Sequence, residues 1–120
     1  MRIAVIGKGN VGGGLADLWE RAGHELTRVG RGGGDVSGAD FAALYDQIAG
    51  ARERPGNLWC GDEEARDVVE QLNRDAGYEP VYAGGLENAA IQESSLRLFF
   101  AISQGGLGAF FYRMAPPDRF

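Results

Sequence analysis

Residues 1–31 read MRIAVIGKGNVGGGLADLWERAGHELTRVGR. Residues 2–6 form a largely apolar run rich in β-branched side chains, which is typical of a strand covered on both faces in a parallel sheet. An apolar stripe at helical spacing follows, made by Val11, Leu15, Leu18, Trp19 and Ala22. Gly23 is a natural residue just past the end of a helix, and residues 24–29 read as a second strand. The stretch therefore predicts a β-α-β unit with a glycine turn between its first strand and its helix.

The glycine turn carries GKGNVG, residues 7–12, which has the GxGxxG spacing of a dinucleotide-binding loop. Gly7 permits a sharp turn, Gly9 lets a pyrophosphate approach the backbone, and Gly12 lets the helix lie close to the strand. Free N–H groups at the positive end of the helix dipole would hold the phosphate charge. The predicted cofactor-binding residues of the loop are Gly7, Lys8, Gly9, Asn10, Val11 and Gly12. One alternative is that the glycine turn only allows close packing and binds no nucleotide. Another is that the Lys8 side chain is solvated and makes no phosphate contact.

The type of dinucleotide is predicted from the end of the second strand. NAD-binding proteins place an acidic residue about 20 residues past the loop, where it binds the ribose 2′-OH. Here Val29, Gly30 and Arg31 occupy that place. Arg31 can bind a 2′-phosphate through a bidentate fork, so the sequence favours NADP. Two alternatives stay open: Asp35 reaches the ribose in a shifted register, or Arg31 is a solvated loop residue.

The rest of the chain continues the alternation of helices and strands. The glycine-rich residues 30–38 predict a connection without a strand, and a short helix follows from Phe41, with Asp40 as its N-cap and Gly50 as its end. Strands are predicted at 57–60 and 80–83, a helix from Asp62 to Gly77, a further helix over 86–104, and a frayed tail. The predicted fold is one α/β domain over 1–120, a shortened Rossmann-like, doubly wound, mainly parallel sheet of about four strands with flanking helices. Residues 1–31 would be its dinucleotide-binding unit and 41–114 its C-terminal part.

The composition of the chain argues against several classes of partner and of catalytic site. A formal net charge of -5 argues against a duplex nucleic acid or an anionic membrane as a partner of the whole protein. The N-terminal apolar run is too short for a signal peptide, and the lone Cys60 agrees with a reducing compartment, so we expect a cytoplasmic protein. We expect Cys60 to be a small buried strand residue and His24 to have a surface or capping role. With one His and one Cys, no metal site and no nucleophilic triad are expected.

Residues 1–31, together with NLWCGDEEARDVVEQLNRDAGYEPVYAGGLENAA (57–90), resemble the NADPH-dependent coenzyme F-420 reductases. That resemblance implies hydride transfer between NADPH and a deazaflavin, phosphate contacts at Gly7, Gly9, Asn10, Val11 and Gly12, and a 2′-phosphate contact at Arg31. Family members carry further strand-helix units between these two blocks. By comparison with a six-stranded dinucleotide fold, roughly 60–80 residues of the middle are missing here, including those that would bind the nicotinamide.

Three functions follow from these observations. The first is an NADP-binding oxidoreductase that passes a hydride between NADPH and a deazaflavin, coenzyme F-420, or a similar acceptor. The second is a non-catalytic module that binds NADP or self-associates, because a shortened sheet leaves the apolar residues 96–112 to be buried against a second copy. The third is an NADP-dependent imine or carbonyl reductase. Catalytic residues are not assigned, since hydride transfer needs no side-chain acid or base.

Overall fold

The computed structural model describes residues 1–6, 10–29 and 41–120. The described chain divides into two compact units. Unit 1 is Met1–Arg52 with Asp75–Gly77, and unit 2 is Glu53–Arg74 with Tyr78–Phe120. Each unit contains one pair of parallel strands. The single domain expected over residues 1–120 stays a prediction.

Unit 1 contains the predicted β-α-β arrangement. Its elements are β1 (Arg2–Ile6), α1 (Asn10–Arg21), β2 (Glu25–Val29) and α2 (Phe41–Gly50). Strands β1 and β2 pair in parallel, with Arg2 opposite Glu25 and Ile6 opposite Val29. The helix ends as the sequence predicts, because Gly23 adopts a φ of 93° and its N–H donates to the Glu20 carbonyl at 3.0 Å. The strand and helix predictions for this stretch are therefore confirmed.

Three apolar residues are buried among the unit 1 side chains that the structure describes. Ala16 of α1 is fully buried, and Ile48 of α2 and Ala76 are almost fully buried. Gly77 lies beside Ile48 with a φ of +94°, and a Cβ at position 77 would come within 3.0 Å of the Ile48 Cγ2 atom. Gly77 therefore combines the predicted helix-ending conformation with a close approach at which an added Cβ would force the Ile48 side chain to shift.

Unit 2 repeats the order of strand, helix and strand. Strand β3 (Gly56–Trp59) leads through a 3₁₀ turn (Glu63–Ala65) into α3 (Arg66–Asp75), whose last residue belongs to unit 1. Strand β4 (Glu79–Tyr82) follows, and then a second 3₁₀ turn (Leu86–Asn88), α4 (Ala89–Ile102), a π turn (Ser103–Leu107) and a 3₁₀ turn (Pro117–Arg119). Strands β3 and β4 pair in parallel, with Gly56 opposite Glu79 and Trp59 opposite Tyr82. Trp59 is buried and packs against the Tyr82 ring at 4.5 Å between centroids.

The edge of β3 that faces away from β4 is covered by polar groups from later in the chain. The Gly56 N–H donates to the Tyr112 carbonyl at 2.7 Å, and the Leu58 N–H donates to the Tyr112 hydroxyl at 3.3 Å. The Leu58 carbonyl accepts from the Gln92 amide at 2.9 Å. These contacts satisfy the backbone groups that a third strand would otherwise pair with. Beyond β4, Pro80 has no N–H to offer to a neighbour.

The sequence prediction of an α/β protein with parallel strands is confirmed. The strands described here form two two-stranded sheets, β1 with β2 and β3 with β4. Together these sheets contain the four strands expected from the sequence, and the four α-helices lie at the expected places.

Several local predictions need correction, and one lies outside the described residues. Asp62 precedes its helix with an extended backbone, but its side chain makes no capping hydrogen bond. Cys60 lies just after β3 and not within it, because β3 ends one residue earlier than predicted. Its side chain is half-buried. The predicted helix over 86–104 is divided into a 3₁₀ turn, α4 and a π turn, and the tail forms a 3₁₀ turn at Pro117–Arg119. Asp40, the predicted N-cap of α2, lies outside the described residues.

Candidate nucleotide site

The predicted nucleotide site falls between β1 and α1. Strand β1 ends at Ile6 and α1 begins at Asn10, so that three residues join them. The structure describes the backbone of Asn10, Val11 and Gly12, and it places them in the first turn of α1. Four of the predicted residues lie outside the described part of the chain, namely Gly7, Lys8, Gly9 and Arg31.

The ends of the two strands of unit 1 lie side by side. Ile6 and Val29 are the last residues of β1 and β2, and they are opposite each other in the parallel register. Ligands of open α/β sheets bind outside the carboxyl ends of the strands. In the sequence, GKG follows one of these strand ends and GR follows the other. The register thus places side by side the two strand ends that precede, in the sequence, the predicted pyrophosphate-binding residues and the predicted 2′-phosphate-binding Arg31.

The N-terminus of α1 is suited to an anion. The first N–H groups of an α-helix, here from Asn10 onwards, have no acceptor within the helix, and the helix dipole adds positive charge at this end. The first turn of α1 contains no acidic residue that would repel a phosphate. The helix continues with Gly12, Gly13 and Gly14, although each glycine costs roughly 1 kcal/mol relative to alanine in a helix interior. Glycine is nevertheless favoured at positions where a side chain would prevent α1 from packing against β1 or would prevent a ligand from reaching the backbone.

Arg28 of β2 is the described arginine nearest in sequence to Arg31. Its guanidinium donates to Asp17 at 2.7 Å and to Glu20 at 2.8 Å, both on α1. These interactions raise the pKa of Arg28, with the hydrogen bond to Asp17 contributing most. Two carboxylates neutralise Arg28, so its role is to hold β2 against α1 rather than to bind phosphate. The sequence reasoning missed this role, although arginine on a strand that follows an acidic helix is a signal for it.

The backbone of His24 has the capping role expected from the sequence, because its N–H donates to the Trp19 carbonyl at 3.0 Å at the end of α1, but its side chain is less exposed than a surface role requires. Its side chain is only 12% exposed, and Nε2 bonds with the Asp75 carboxylate. The other ring nitrogen, Nδ1, is buried and has no hydrogen-bond partner among the described residues. His24 precedes β2, at the end opposite Val29, and thus lies away from the strand ends where a nucleotide would bind. The pair of His24 and Asp75 therefore serves the structure of unit 1.

Unit 2 contains a cleft lined by arginines. The cleft has a volume of about 470 Å³, and Arg54, Arg66, Arg113 and Arg119 contribute to its walls. Arg66 pairs with Glu70 at 2.9 Å and with Glu63 at 3.1 Å, and the hydrogen bond to Glu70 contributes most to raising the pKa of Arg66.

Arg113, which also lines the cleft, pairs with Glu53 at 2.8 Å. Carboxylates of the same unit therefore already neutralise two of the four guanidinium groups. The cleft offers less free positive charge than its arginine content suggests.

No group of three His, Cys, Asp or Glu side chains that could hold a metal ion occurs among the residues that the structure describes. No helix in the described ranges is long and apolar enough to cross a membrane.

Comparisons with known proteins do not assign the chain to a family. No protein-family model matches it. The search of curated proteins also found no match. The function is therefore inferred from the β1-α1-β2 unit and from the residues of the glycine loop.

Proposed function

We propose that the β1-α1-β2 unit binds NADP and that the chain is an NADP-dependent oxidoreductase, transferring a hydride between NADPH and a deazaflavin such as coenzyme F-420 or a similar acceptor. One observation carries most of the proposal: β1 and β2 are parallel, with Ile6 opposite Val29, and α1 begins four residues after β1 ends. This is the arrangement in which a GxGxxG loop binds a pyrophosphate. A shortened Rossmann-like sheet of about four strands is part of the same proposal.

The residues of the loop have separate tasks in this proposal. The N–H groups of the first turn of α1, from Asn10 to Gly12, hold the pyrophosphate, and Gly9 lets it approach the backbone. Arg31 binds the 2′-phosphate and thereby selects NADP over NAD. NADPH, when bound, supplies the hydride. The protein holds its adenosine and pyrophosphate groups and orients it towards the acceptor.

Titration with NADPH and with NADH, followed by nicotinamide fluorescence, tests cofactor binding. We expect saturable binding of NADPH. The substitution Arg31→Ala should weaken the affinity for NADPH by about tenfold to a hundredfold, in line with the loss of a charge-assisted bidentate contact. NADH should bind equally well to both proteins. Lys8→Ala is the matched control, since it removes a positive charge of the glycine loop without the 2′-phosphate contact and should therefore change the affinities for NADPH and NADH by the same factor. Equal losses for NADPH and NADH in Arg31→Ala would remove the reason for choosing NADP.

A second variant tests whether the loop itself binds the cofactor. Gly9→Val places a branched side chain where the pyrophosphate should approach, so NADPH binding should be lost while the far-ultraviolet circular dichroism spectrum is retained. Unchanged NADPH binding by Gly9→Val would mean that the loop serves only packing.

Turnover then identifies the acceptor. NADPH oxidation is followed at its absorbance maximum with coenzyme F-420, with a cyclic imine and with a small ketone. Turnover with the deazaflavin supports the proposed reaction, and turnover with the imine or ketone alone supports a reductase of those substrates. NADPH binding without turnover of any acceptor supports a non-catalytic NADP-binding module.

A further inference from the structure

Positive charge in unit 2 is concentrated around the arginine-lined cleft. The arginines of this unit are Arg54, Arg66, Arg74, Arg97, Arg113 and Arg119, and four of the six line the cleft. Of the ten acidic residues of the same unit, Glu53 and Glu79 line it. The volume of about 470 Å³ is within the range of small-molecule sites in proteins. An acidic unit therefore places most of its positive charge around one cavity.

Two of the arginines that line the cleft have no carboxylate partner in the part of the chain that the structure describes. Arg54 donates to the Arg74 carbonyl, a neutral group, at 3.1 Å, and Arg119 belongs to no ion pair among these residues. Both arginines are exposed, so a ligand can reach them. Glu79 also lines the cleft and forms no ion pair within the described ranges. These three side chains leave one net positive charge.

Arg113 brings the two arginines without a carboxylate partner close to each other. Its Nη1 atom donates to the Glu53 carboxylate and to the main-chain carbonyl of Arg119, both at 2.8 Å. Glu53 is the neighbour of Arg54 in the chain. One guanidinium group thus contacts Arg119 itself and the residue next to Arg54. Because both side chains also line the cleft, they are placed to donate to one bound carboxylate group.

The uncharged residues of the cleft are mostly apolar. They include Pro80 and Val81 of β4 and Met114 and Pro116 of the C-terminal segment. Met114 is 50% exposed, so part of this apolar surface is open to solvent. An inorganic anion would leave these side chains in water, whereas an organic anion can bury its own apolar part against them. One net positive charge beside an apolar wall therefore fits a monoanion with an apolar body.

We propose that this cleft binds a small organic carboxylate. Arg54 and Arg119 donate to the carboxylate group, and the apolar body of the ligand lies against Pro80 and Met114. A phosphate monoester fits less well, because it carries nearly two negative charges at neutral pH and Glu79 would repel it. The inference goes beyond NADP binding and does not depend on it, because the residues that line the cleft all belong to unit 2.

Titration of the ¹⁵N-labelled full chain with benzoate, observing the backbone amides, tests the proposal. The signals of Val81, Tyr82 and Arg119 should shift and saturate with a dissociation constant of about 1 mM. Benzamide, which has the same shape and no charge, should bind at least about tenfold more weakly. Equal affinities for benzoate and benzamide, or no saturation by benzoate below about 20 mM, would overturn the proposal. Benzoate shifts confined to the first turn of α1 would also overturn it.

Three substitutions test the charges that hold the carboxylate. Arg119→Gln should weaken benzoate about tenfold, because a charge-assisted hydrogen bond is lost. Glu79→Gln should strengthen benzoate about twofold to threefold, because a repulsive charge is removed, and damage to the fold would not produce such a gain. Arg97→Gln is the matched control and should leave the affinity unchanged, since Arg97 is an exposed arginine of α4 outside the cleft. Equal losses in Arg119→Gln and Arg97→Gln, or weaker binding by Glu79→Gln, would contradict the proposed site.

Phenyl phosphate and NADPH distinguish this site from a phosphate site. Phenyl phosphate has the same aromatic body as benzoate and should bind the cleft no more tightly. Tenfold tighter binding of phenyl phosphate, measured on the signals of Val81 and Tyr82, would overturn the choice of a carboxylate. NADPH should leave the benzoate-induced shifts in place, and displacement of benzoate by NADPH would likewise contradict the proposal. Because NADPH is observed at α1 and benzoate at β4, either binding site can fail without the other.

Discussion

The substitution Tyr112→Phe tests how the edge of β3 is closed. The Tyr112 hydroxyl accepts from the Leu58 N–H at 3.3 Å, and the ring packs against Phe99 at 5.0 Å between centroids. Phenylalanine keeps the ring contact and removes only the acceptor. A half-buried N–H that loses its partner costs about 1–3 kcal/mol, and the length of this bond places the cost near the lower end, at about 1 kcal/mol.

Urea denaturation and hydrogen exchange measure this effect. The free energy of unfolding should fall by about 1 kcal/mol and the melting temperature by about 4 °C for a chain of this size. Exchange of the Leu58 amide should become about fivefold faster, the factor that corresponds to about 1 kcal/mol. The Gly56 amide is an internal control, because it donates to the Tyr112 main-chain carbonyl, which the substitution leaves in place. An unchanged stability together with unchanged Leu58 exchange would show that the Tyr112 hydroxyl does not close this edge of β3, and that another group pairs with the Leu58 N–H.

Three further substitutions test local contacts. Gly77→Ala should destabilise the protein by about 1–2 kcal/mol in thermal unfolding, because the residue has a φ of +94° and its new Cβ would lie 3.0 Å from Ile48; equal melting temperatures would contradict this. Burial acts to raise the pKa of Glu70, but its hydrogen bonds with two arginines outweigh burial and lower it, so Glu70→Gln should cost about 1 kcal/mol at pH 7. A lowered carboxyl pKa stabilises the fold at a pH above the ordinary value of about 4.3, and this stabilisation is lost as the pH falls through the lowered pKa. The difference in unfolding free energy between Glu70→Gln and the parent protein should therefore shrink as the pH is lowered from 7 into the acid range, and a difference that does not change with pH would argue against an ionic origin. Asp75→Asn weakens the contact with the largely buried His24 and should lower the free energy of unfolding in urea by about 1–3 kcal/mol. A decrease below about 0.3 kcal/mol would show that the pair of His24 and Asp75 does not stabilise unit 1.

Local patterns predicted the secondary structure well. The apolar run of residues 2–6, the helical stripe that follows it and the helix-ending Gly23 all appear in the structure as expected. These features depend on residues close together in the chain, where backbone geometry and side-chain periodicity act directly. Gly77 was also predictable for this reason, since a left-handed conformation after a helix favours glycine.

Contacts between distant residues were not predictable in the same way. His24 meets Asp75, which is 51 residues later, and Leu58 meets Tyr112, which is 54 residues later. No periodicity in either segment indicates its partner. Because Tyr112 covers the edge of β3 with a hydroxyl and a carbonyl, the local patterns of β3 and β4 could not show which neighbours their outer edges would have.

The candidate site was predicted from local sequence, and the structure supplies its frame. The parallel register of Ile6 and Val29 and the start of α1 at Asn10 are the features that the glycine loop requires. The neutralised state of Arg28 could not be foreseen from the loop, because it depends on carboxylates of α1. That finding sharpens the test at Arg31 by removing Arg28 as an alternative phosphate ligand.

The most direct test of NADP binding by the β1-α1-β2 unit is an NMR titration of the ¹⁵N-labelled protein with NADPH, observing the backbone amides. We expect the amide signals of Asn10, Val11 and Gly12 to shift most and to saturate together if their N–H groups bind the pyrophosphate. Signals of β3 and β4 should remain in place. Shifts confined to the arginine-lined cleft of unit 2, or no shifts at millimolar NADPH, would contradict NADP binding by the β1-α1-β2 unit.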